Sequence, residues 1–162
     1  MERFIMQTIS TLVTERTLTE LDFARLSKLA HLNAPQWVTD LLDGVDVLDA
    51  REVSSDTVTM YSTVECQDLH TGHRQQLTIC YPTDAEPTIG FVSVLSPVGC
   101  SLLGLRAGDV ARWQMPSGEG GGARVVSVLR LVIVPVSVAP VSGSAAPSLR
   151  VQVTIWLGRS PP

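Results

Sequence analysis

Apolar residues in the first third of the chain recur at the spacing of two helices. Residues 18–30 are predicted to form the first helix, with Thr17 and Glu20 as a capping box at its start. A second start signal, with proline in the first turn, lies at residues 33–36. The apolar face of the second helix comprises Trp37, Val38, Leu41, Leu42, Val45 and Leu48. Because about four residues separate the two helices, we expect a short antiparallel helical hairpin.

The opposite face of the second predicted helix is acidic. Aspartates recur there at every third position, as Asp40, Asp43, Asp46 and Asp49. Gly44 falls inside this predicted helix, where it costs about 1 kcal/mol relative to alanine. A solvent-exposed helix face explains such a row of carboxylates without any function. The row therefore becomes a candidate binding feature only if another observation points to a partner.

After residue 57 the pattern changes to alternation, which is typical of strands. Residues 58–66 alternate between a mostly apolar and a more polar face and are predicted to form the first strand. Thr71 and Gly72 form a hairpin-turn signal before the second strand. The further predicted strands cover residues 75–81, 91–95, 110–115 and 123–129. Two helices followed by about five strands predict an α+β fold.

The segment from Ser96 to Asp109 interrupts the strands with a short helix. Ser96 is a capping residue, and Pro97 at the first helical position loses no hydrogen bond. Gly104 and Gly108 supply the turns that end the element. Its apolar face consists of Val98, Leu102, Leu103 and Leu105. A short helix is thus expected to pack between two strands of one sheet.

This segment resembles the C-terminal domain of the Gre transcript-cleavage factors, and more closely the Rnk proteins, the regulators of nucleoside diphosphate kinase. Residues 56–64, 68–72, 77–82 and 92–97 resemble the same family and occur in its order, so the likeness runs from about residue 18 to 129. It implies a short N-terminal antiparallel helical hairpin and a Gre-like, FKBP-like C-terminal domain of about five strands wrapping one short helix. The expected domains are residues 1–53, 54–130 and 131–162.

The resemblance implies a regulator that binds bacterial RNA polymerase. In Gre factors a long coiled coil enters the secondary channel of the polymerase, and acidic residues at its tip help to hold a catalytic magnesium ion. The corresponding tip here, residues 31–36, carries no acidic residue, and Asp40 lies more than a turn away. We therefore expect a non-enzymatic factor that competes with Gre-type factors without stimulating transcript cleavage. No catalytic residue, metal ligand or cofactor is expected. The expected partner-binding residues are Asp40, Asp43, Ser96, Pro97, Leu103, Arg106 and Asp109.

Two other functions remain open. The name of the Rnk family implies regulation of the nucleoside diphosphate kinase level, directly or as a consequence of transcription control. The FKBP-like topology raises prolyl isomerase activity, which needs an aromatic-lined pocket for the proline ring. The aromatic residues of this domain are Tyr61, Tyr81, Phe91 and Trp113, and no such lining can be read from their positions. Shared topology alone does not imply shared activity.

Composition narrows the partners further. The 162 residues are 44% hydrophobic and 17% charged, which is typical of a folded domain, and the net charge is −4. A negative chain without a basic stripe is not expected to bind nucleic acid sequence-specifically. No apolar run is long enough for a membrane span, and the mixed polar and apolar first residues lead us to expect no signal peptide. Three cysteines in predicted elements indicate reduced core thiols and a cytoplasmic protein.

Two cysteine-based sites are weaker interpretations. Cys66, His70 and His73 lie close together in the sequence, but a structural zinc site needs four converging ligands. Cys100 lies at a helix start, where a thiolate is stabilised, but no histidine is expected beside it. A buried thiol and surface histidines are the default interpretation of these residues.

The tail, residues 131–162, has almost no charge and departs from the family pattern. Residues 131–138 and 149–156 have strand character around a small-residue linker. Two explanations remain open: an added hairpin that covers a sheet edge or a subunit interface, and a foreign tail written after a reading-frame change near Arg130. Because an exposed apolar strand favours association, a homodimer formed through the tail is one expectation.

Overall fold

The structure is a computed structural model that describes residues 14–129, so the predictions for the tail lie outside the described residues. Its helices are α1 (Glu20–His31), α2 (Gln36–Asp43) and α3 (Pro97–Leu102). Its strands are β1 (Thr17–Thr19), β2 (Asp46–Leu48), β3 (Thr63–Asp68), β4 (Arg74–Cys80), β5 (Phe91–Ser93), β6 (Val110–Gln114) and β7 (Gly120–Leu129). Two single-turn 3₁₀ helices, Pro82–Asp84 and Pro87–Ile89, connect β4 to β5.

Five strands form one sheet in the order β5-β4-β3-β7-β6. All neighbours are antiparallel except β4 and β5, which run parallel. The β3–β4 hairpin turns at Gly72, whose φ of 70° lies in the left-handed region that glycine favours. The predicted mixture of helices and five strands is confirmed. Its likeness to FKBP-type domains stays a prediction.

The first helix begins two residues later than predicted. Thr19 caps it, because its hydroxyl accepts a hydrogen bond from the Asp22 amide at 3.1 Å, so the predicted Thr17–Glu20 capping box is wrong. Thr17 and Leu18 instead belong to β1, which pairs in parallel with β2. Leu18 is completely buried, so burial and strand pairing, not helical spacing, determine its conformation.

The second helix ends at Asp43 and does not extend to residue 48 as predicted. Gly44 is its C-cap residue, and the Gly44 amide donates to the carbonyl oxygen of Leu41 at 3.2 Å. Residues 46–48 form β2, so Asp46 and Asp49 lie off the helix. The four aspartates therefore do not share one helical face. Gly44 has a φ of −117°, which other residues also adopt, so the helix ends here through the pairing of the following strand rather than through a need for glycine.

The predicted strand over residues 58–66 begins only at Thr63. Residues 57–60 and Ser62 are all buried, which an alternating strand with one exposed face does not allow. Tyr61 adopts a φ of 61°, a left-handed conformation that a β-strand excludes. Residues 57–62 therefore form an irregular, mostly buried connection despite their alternating pattern, and the regular strand that follows is β3.

The short helix α3 lies where predicted, between β5 and β6. The Ser96 hydroxyl accepts from the Gly99 amide at 3.0 Å and donates to the Ser93 carbonyl oxygen at 2.7 Å, which confirms its capping role. One core cluster joins α1, α2, α3 and the large sheet. Its completely buried aliphatic side chains are Leu18, Leu26, Val38, Val58, Val64, Ile79, Val94, Leu102, Leu103, Leu105 and Val125. No described helix is long and apolar enough to cross a bilayer.

A candidate docking cleft between the helices and the sheet edge

A cleft with a volume of about 280 Å³ opens where α2, α3 and the edge strand β6 meet. Its walls combine cationic and aromatic side chains with the start of α3. The lining residues are Arg16, Trp37, Pro97, Cys100, Ser101, Arg112, Trp113 and Gln114. Tryptophan and arginine are the residue types that dominate the binding energy of protein interfaces. This composition makes the cleft a candidate protein-docking site.

Two long-range hydrogen bonds fix the inner wall of this cleft. The Trp37 indole nitrogen donates to the Leu95 carbonyl oxygen at 2.9 Å, which ties α2 to the residue before the α3 cap. The Arg16 guanidinium donates to the Cys100 carbonyl oxygen at 3.0 Å. Burial lowers the pKa of Arg16, although an arginine stays charged at any physiological pH. The positive charge of Arg16 is therefore held in place inside the wall.

Trp113 and Arg112 form the outer wall, on the strand at the edge of the sheet. The Trp113 ring covers Gly121 of β7, and a Cβ atom at Gly121 would collide with the indole. The cross-strand partner of Arg112 is Gly122, so small residues lie opposite both side chains. Trp113 is half-buried and Arg112 is exposed. Gly121 thereby leaves room for the Trp113 ring beside the cleft.

Cys100 lines the cleft as an inert thiol. It is 4% exposed, and its sulfur donates to the Trp37 carbonyl oxygen at 3.4 Å. Burial raises its pKa to about 11, and the nearby Asp40 carboxylate adds to the increase while Arg16 opposes it. A neutral thiol is a poor nucleophile. Cys100 is therefore a buried core thiol, in agreement with the default interpretation, and its surroundings give no basis for nucleophilic catalysis.

The predicted partner-binding residues separate into four groups in the structure. Ser96 and Pro97 form the start of α3 beside the cleft, and Asp40 lies close enough to act on the Cys100 pKa. Asp43 is exposed at the end of α2 and does not line the cleft. Leu103 is completely buried, so its assignment as a contact residue is corrected: it supports the site by packing.

Arg106 and Asp109 lie in the turn between α3 and β6, where they stabilise the turn itself. The Asp109 carboxylate accepts from the Arg106 amide at 2.8 Å, and the Arg106 guanidinium lies 3.4 Å from Asp56. The Ser54 hydroxyl and, to a smaller extent, Arg106 lower the pKa of Asp56. These contacts are at the surface, where an ion pair contributes about 0–1 kcal/mol. The structure brings this turn to the surface but not into the cleft.

A second cavity, of about 480 Å³, lies between α1 and the segment that follows β4. Tyr61 and Tyr81 form its aromatic wall, with ring centroids 5.7 Å apart and planes inclined by 63°. The full lining is Arg25, Lys28, Leu29, Tyr61, Tyr81, Pro82 and Thr83. The sequence interpretation missed this cavity, because nothing in the spacing of two tyrosines twenty positions apart indicates that their rings meet.

The histidine-containing hairpin has a structural role. The Asp68 carboxylate accepts from the backbone amides of His70 and Thr71, each at 2.8 Å, and these bonds lower its pKa. Cys66 is buried on β3, away from the exposed turn. Within residues 14–129, no three histidine, cysteine or acidic side chains come together as a metal site.

Comparison with known proteins places this fold in a family. Residues 53–130 match the family model described as the C-terminal domain of the transcription elongation factors GreA and GreB. A "Regulator of nucleoside diphosphate kinase" from Escherichia coli K12 is 37% identical over 94 residues, which cover 58% of this chain and 67% of that relative. A GreA protein from Desulfovibrio desulfuricans is 39% identical over 73 residues, 45% of each chain.

A solved structure carries the same likeness at the level of the fold. The GreA/GreB transcription elongation factor from Nitrosomonas europaea aligns with a TM-score of 0.59 and 33% identity, over 70% of this chain and 97% of that one. The chain spans about half the length of the GreA relatives that it matches. The sequence relatives, the matched domain and the shared fold agree, and the chain belongs to the GreA/GreB transcription factor family.

Proposed function

We propose that this protein is a non-enzymatic transcription regulator that binds bacterial RNA polymerase near the secondary channel and competes there with Gre-type factors. The observation that carries the proposal is a Gre-family domain joined to two short helices without an acidic tip. The family membership supports the polymerase as partner. The short helices support occupation of the channel entrance without cleavage of the transcript.

The length of the helices supports the absence of cleavage chemistry. With 12 residues in α1 and 8 in α2, their lengths are about 18 and 12 Å at about 1.5 Å per residue. The connection between them, residues 32–35, contains no carboxylate. Magnesium prefers hard oxygen ligands such as carboxylates. A short helical pair with this tip has neither the reach nor the ligands to hold a catalytic magnesium ion in the polymerase.

The cleft at the edge of the sheet supplies the docking surface in this proposal. Trp37 and Trp113 offer aromatic area, while Arg16 and Arg112 add positive charge. Ser96 and Pro97 shape the cleft at the start of α3. Asp40 and Asp43 provide a separate acidic contact on the exposed side of α2. The partner surface is thereby expected to present an apolar side chain and an acid to the cleft, and a basic group to α2.

Transcript cleavage by backtracked polymerase complexes tests this proposal. Added alone, the protein is expected to leave the cleavage rate unchanged, and added with a Gre factor it is expected to reduce the stimulated rate. Arg112→Glu is expected to lose this inhibition. Arg124→Glu is the matched control, because Arg124 is an exposed arginine of the adjacent strand outside the cleft. Stimulated cleavage by the protein alone would contradict the proposal.

A second candidate function is regulation of the nucleoside diphosphate kinase level, which the printed name of the Escherichia coli relative favours. No described surface is specific for a kinase, so we place this effect downstream of transcription. Titration of purified nucleoside diphosphate kinase with this protein tests the direct route. Binding at micromolar concentration, with no binding to RNA polymerase, would make the kinase the primary partner.

Prolyl isomerase activity is the third candidate, and the Tyr61–Tyr81 cavity is the observation in its favour. The cavity is open and its mouth is cationic, whereas a site for a proline ring is apolar and enclosed. A proline-peptide turnover assay decides this point directly. We expect no acceleration over the uncatalysed rate.

A further inference from the structure

We propose that the face of α1 and the Tyr61–Tyr81 cavity form a second docking site, which binds an acidic, apolar segment of RNA polymerase. This site is called the tyrosine pocket below and comprises Arg25, Lys28, Leu29, Tyr61, Tyr81, Pro82 and Thr83. The inference rests on the proposed function for the identity of the partner. It extends that function by assigning a contact surface that is separate from the cleft at the sheet edge.

The exposed stripe of α1 is the first argument for the tyrosine pocket. Leu21, Arg25, Lys28 and Leu32 are spaced by three or four residues, so they share one side of the helix with Leu29. Leu21 is 57% exposed and Leu32 is 78% exposed, although a solvent-facing helix surface is normally polar. Two exposed leucines at the ends of α1, with a cavity between them, form a surface suited to an apolar partner.

Charge complementarity selects an acidic occupant. Among the described residues, neither Arg25 nor Lys28 lies within ion-pair distance of a carboxylate, although the whole chain carries a net charge of −4. Two carboxylates lie near the tyrosines, and each accepts a hydrogen bond within the chain rather than pairing with a cation: Asp84 accepts from the Tyr61 hydroxyl at 2.7 Å, and the buried Asp22 accepts from the Met60 amide at 3.3 Å. The mouth of the pocket therefore presents two unpaired cations to the partner.

The Tyr81 hydroxyl gives the pocket an unused hydrogen-bond donor. This oxygen is buried and has no hydrogen-bond partner among the described residues. Burial raises the pKa of Tyr81, and the neighbouring Arg25 guanidinium opposes part of this increase, so the hydroxyl keeps its proton for donation. An unpaired buried polar group costs about 1–3 kcal/mol, which a bound carbonyl or carboxylate oxygen would recover. The free protein thus carries a cost that binding of a polar, acidic peptide removes.

The backbone conformation of Tyr61 is a further argument for the tyrosine pocket. Its φ of 61° is unusual for an aromatic residue, and its amide donates to the Ile79 carbonyl oxygen at 2.7 Å, which holds the backbone there. Despite this constraint its side chain is 41% exposed. Backbone strain of this kind is concentrated at ligand-binding positions. Here it places the ring as one wall of the pocket.

Equilibrium binding to core RNA polymerase without nucleic acid tests the inference. The double variant Arg25→Glu/Lys28→Glu is expected to bind about tenfold more weakly. The control Arg51→Glu/Arg124→Glu makes the same change in net charge at two exposed arginines outside the pocket and is expected to bind within about twofold of the unaltered chain. Leu32→Ser is expected to weaken binding, whereas Ile89→Ser, at a residue 64% exposed, is not.

Tyr81→Phe separates binding from stability. Because the hydroxyl has no partner in the free protein, its removal is expected to leave the melting temperature unchanged or higher, and to weaken polymerase binding about threefold. A lower melting temperature with unchanged binding would assign Tyr81 a purely structural role and would count against the pocket.

The outcomes for the two proposals are distinguishable. If the unaltered chain binds polymerase and the Arg25/Lys28 and Leu32 variants bind equally well, the second docking site is refuted while the proposed function stands. If the unaltered chain does not bind, both are refuted. If the Arg25/Lys28 variant is weakened only in complexes that carry a transcript, the occupant is RNA and the acidic segment is refuted.

Discussion

Gly99 shows how the absence of one side chain shapes the docking cleft. The Ser96 cap and the Ser93 carbonyl oxygen close tightly around this residue, and a Cβ atom at Gly99 would collide with that oxygen. Backbone cannot move aside as a flexible side chain can. Only glycine therefore permits α3 to start so close to β5, which places Pro97 beside the cleft.

Gly99→Ala is expected to destabilise the protein by about 3 kcal/mol, because the start of α3 must shift to relieve the overlap. Gly44→Ala is the matched control, since its added Cβ would lie 3.6 Å from the nearest atom, the Asp40 carbonyl oxygen. Chemical denaturation with urea measures both changes. An equal, small effect of the two substitutions would show that the approach at Gly99 is not tight.

Cys100 predicts a stability change at alkaline pH. Its pKa is about 11 in the folded protein and about 9 for an exposed thiol, so the folded state keeps a proton that the unfolded state loses. Below about pH 8 the thiol is protonated in both states, so the free energy of unfolding does not depend on its ionisation. The free energy of unfolding then falls as the pH rises from about 9 to 11. Cys100→Ala is expected to show a shallower decline over this window in urea titrations. Parallel curves for the two proteins would contradict the raised pKa.

Some residue roles follow from local sequence and others do not. The Ser96 cap was predictable, because a serine, a following proline and a helix start lie within four positions. The role of Leu103 was not predictable, since an apolar residue in this segment fits a core and a contact surface equally well. Its complete burial shows which of the two applies. The unpaired, buried Tyr81 hydroxyl was not predictable either, because its surroundings are set by the tertiary fold.

At the scale of elements, α2 is the exposed acidic contact in the proposed function. Asp40 and Asp43 are exposed, and the bond from the Gln36 amide to Asp40 lies at the surface. Asp40→Asn/Asp43→Asn is therefore expected to weaken polymerase binding about threefold without changing the melting temperature. The pair Asp46→Asn/Asp49→Asn, just past the helix, is the control and is expected to bind normally. Unchanged affinity of the first variant would remove α2 from the interface.

The element boundaries that sequence periodicity missed share one physical cause. Residues 17–19 and 46–48 form a two-stranded parallel sheet across an intervening pair of helices. Helical spacing continues through both segments, but pairing between strands far apart in sequence leaves no local signal. Burial and backbone hydrogen bonds then override the propensity of these residues. The hairpins were predictable, because each is built from neighbouring strands and a local turn.

At the scale of the whole molecule, both cavities lie where the N-terminal helices meet the sheet domain. The cleft joins α2 to α3 and β6, and the tyrosine pocket joins α1 to the segment after β4. Neither the N-terminal helices nor the sheet domain alone supplies all the lining residues of either cavity. Composition favours a protein partner over nucleic acid, which stays a prediction. The lining of the cleft depends on contacts between residues far apart in the sequence, such as Trp37 and Leu95, which are 58 positions apart.

The apolar tail leads to a prediction about assembly. If residues 131–162 mediate association, the full chain is expected to elute as a dimer in size-exclusion chromatography, and a chain that ends at Arg130 as a monomer. Light scattering on the same column gives the masses directly. Monomeric behaviour of both chains would contradict a tail-mediated homodimer.

The most direct test of the central claim is a competition experiment for core RNA polymerase. Labelled protein is bound to the polymerase, an unlabelled Gre factor is titrated in, and the bound fraction is followed by fluorescence anisotropy. We expect complete displacement with a midpoint set by the affinity of the Gre factor, because both proteins are proposed to occupy the channel entrance. Simultaneous binding of the two proteins, or no binding of this protein at micromolar concentration, would contradict it.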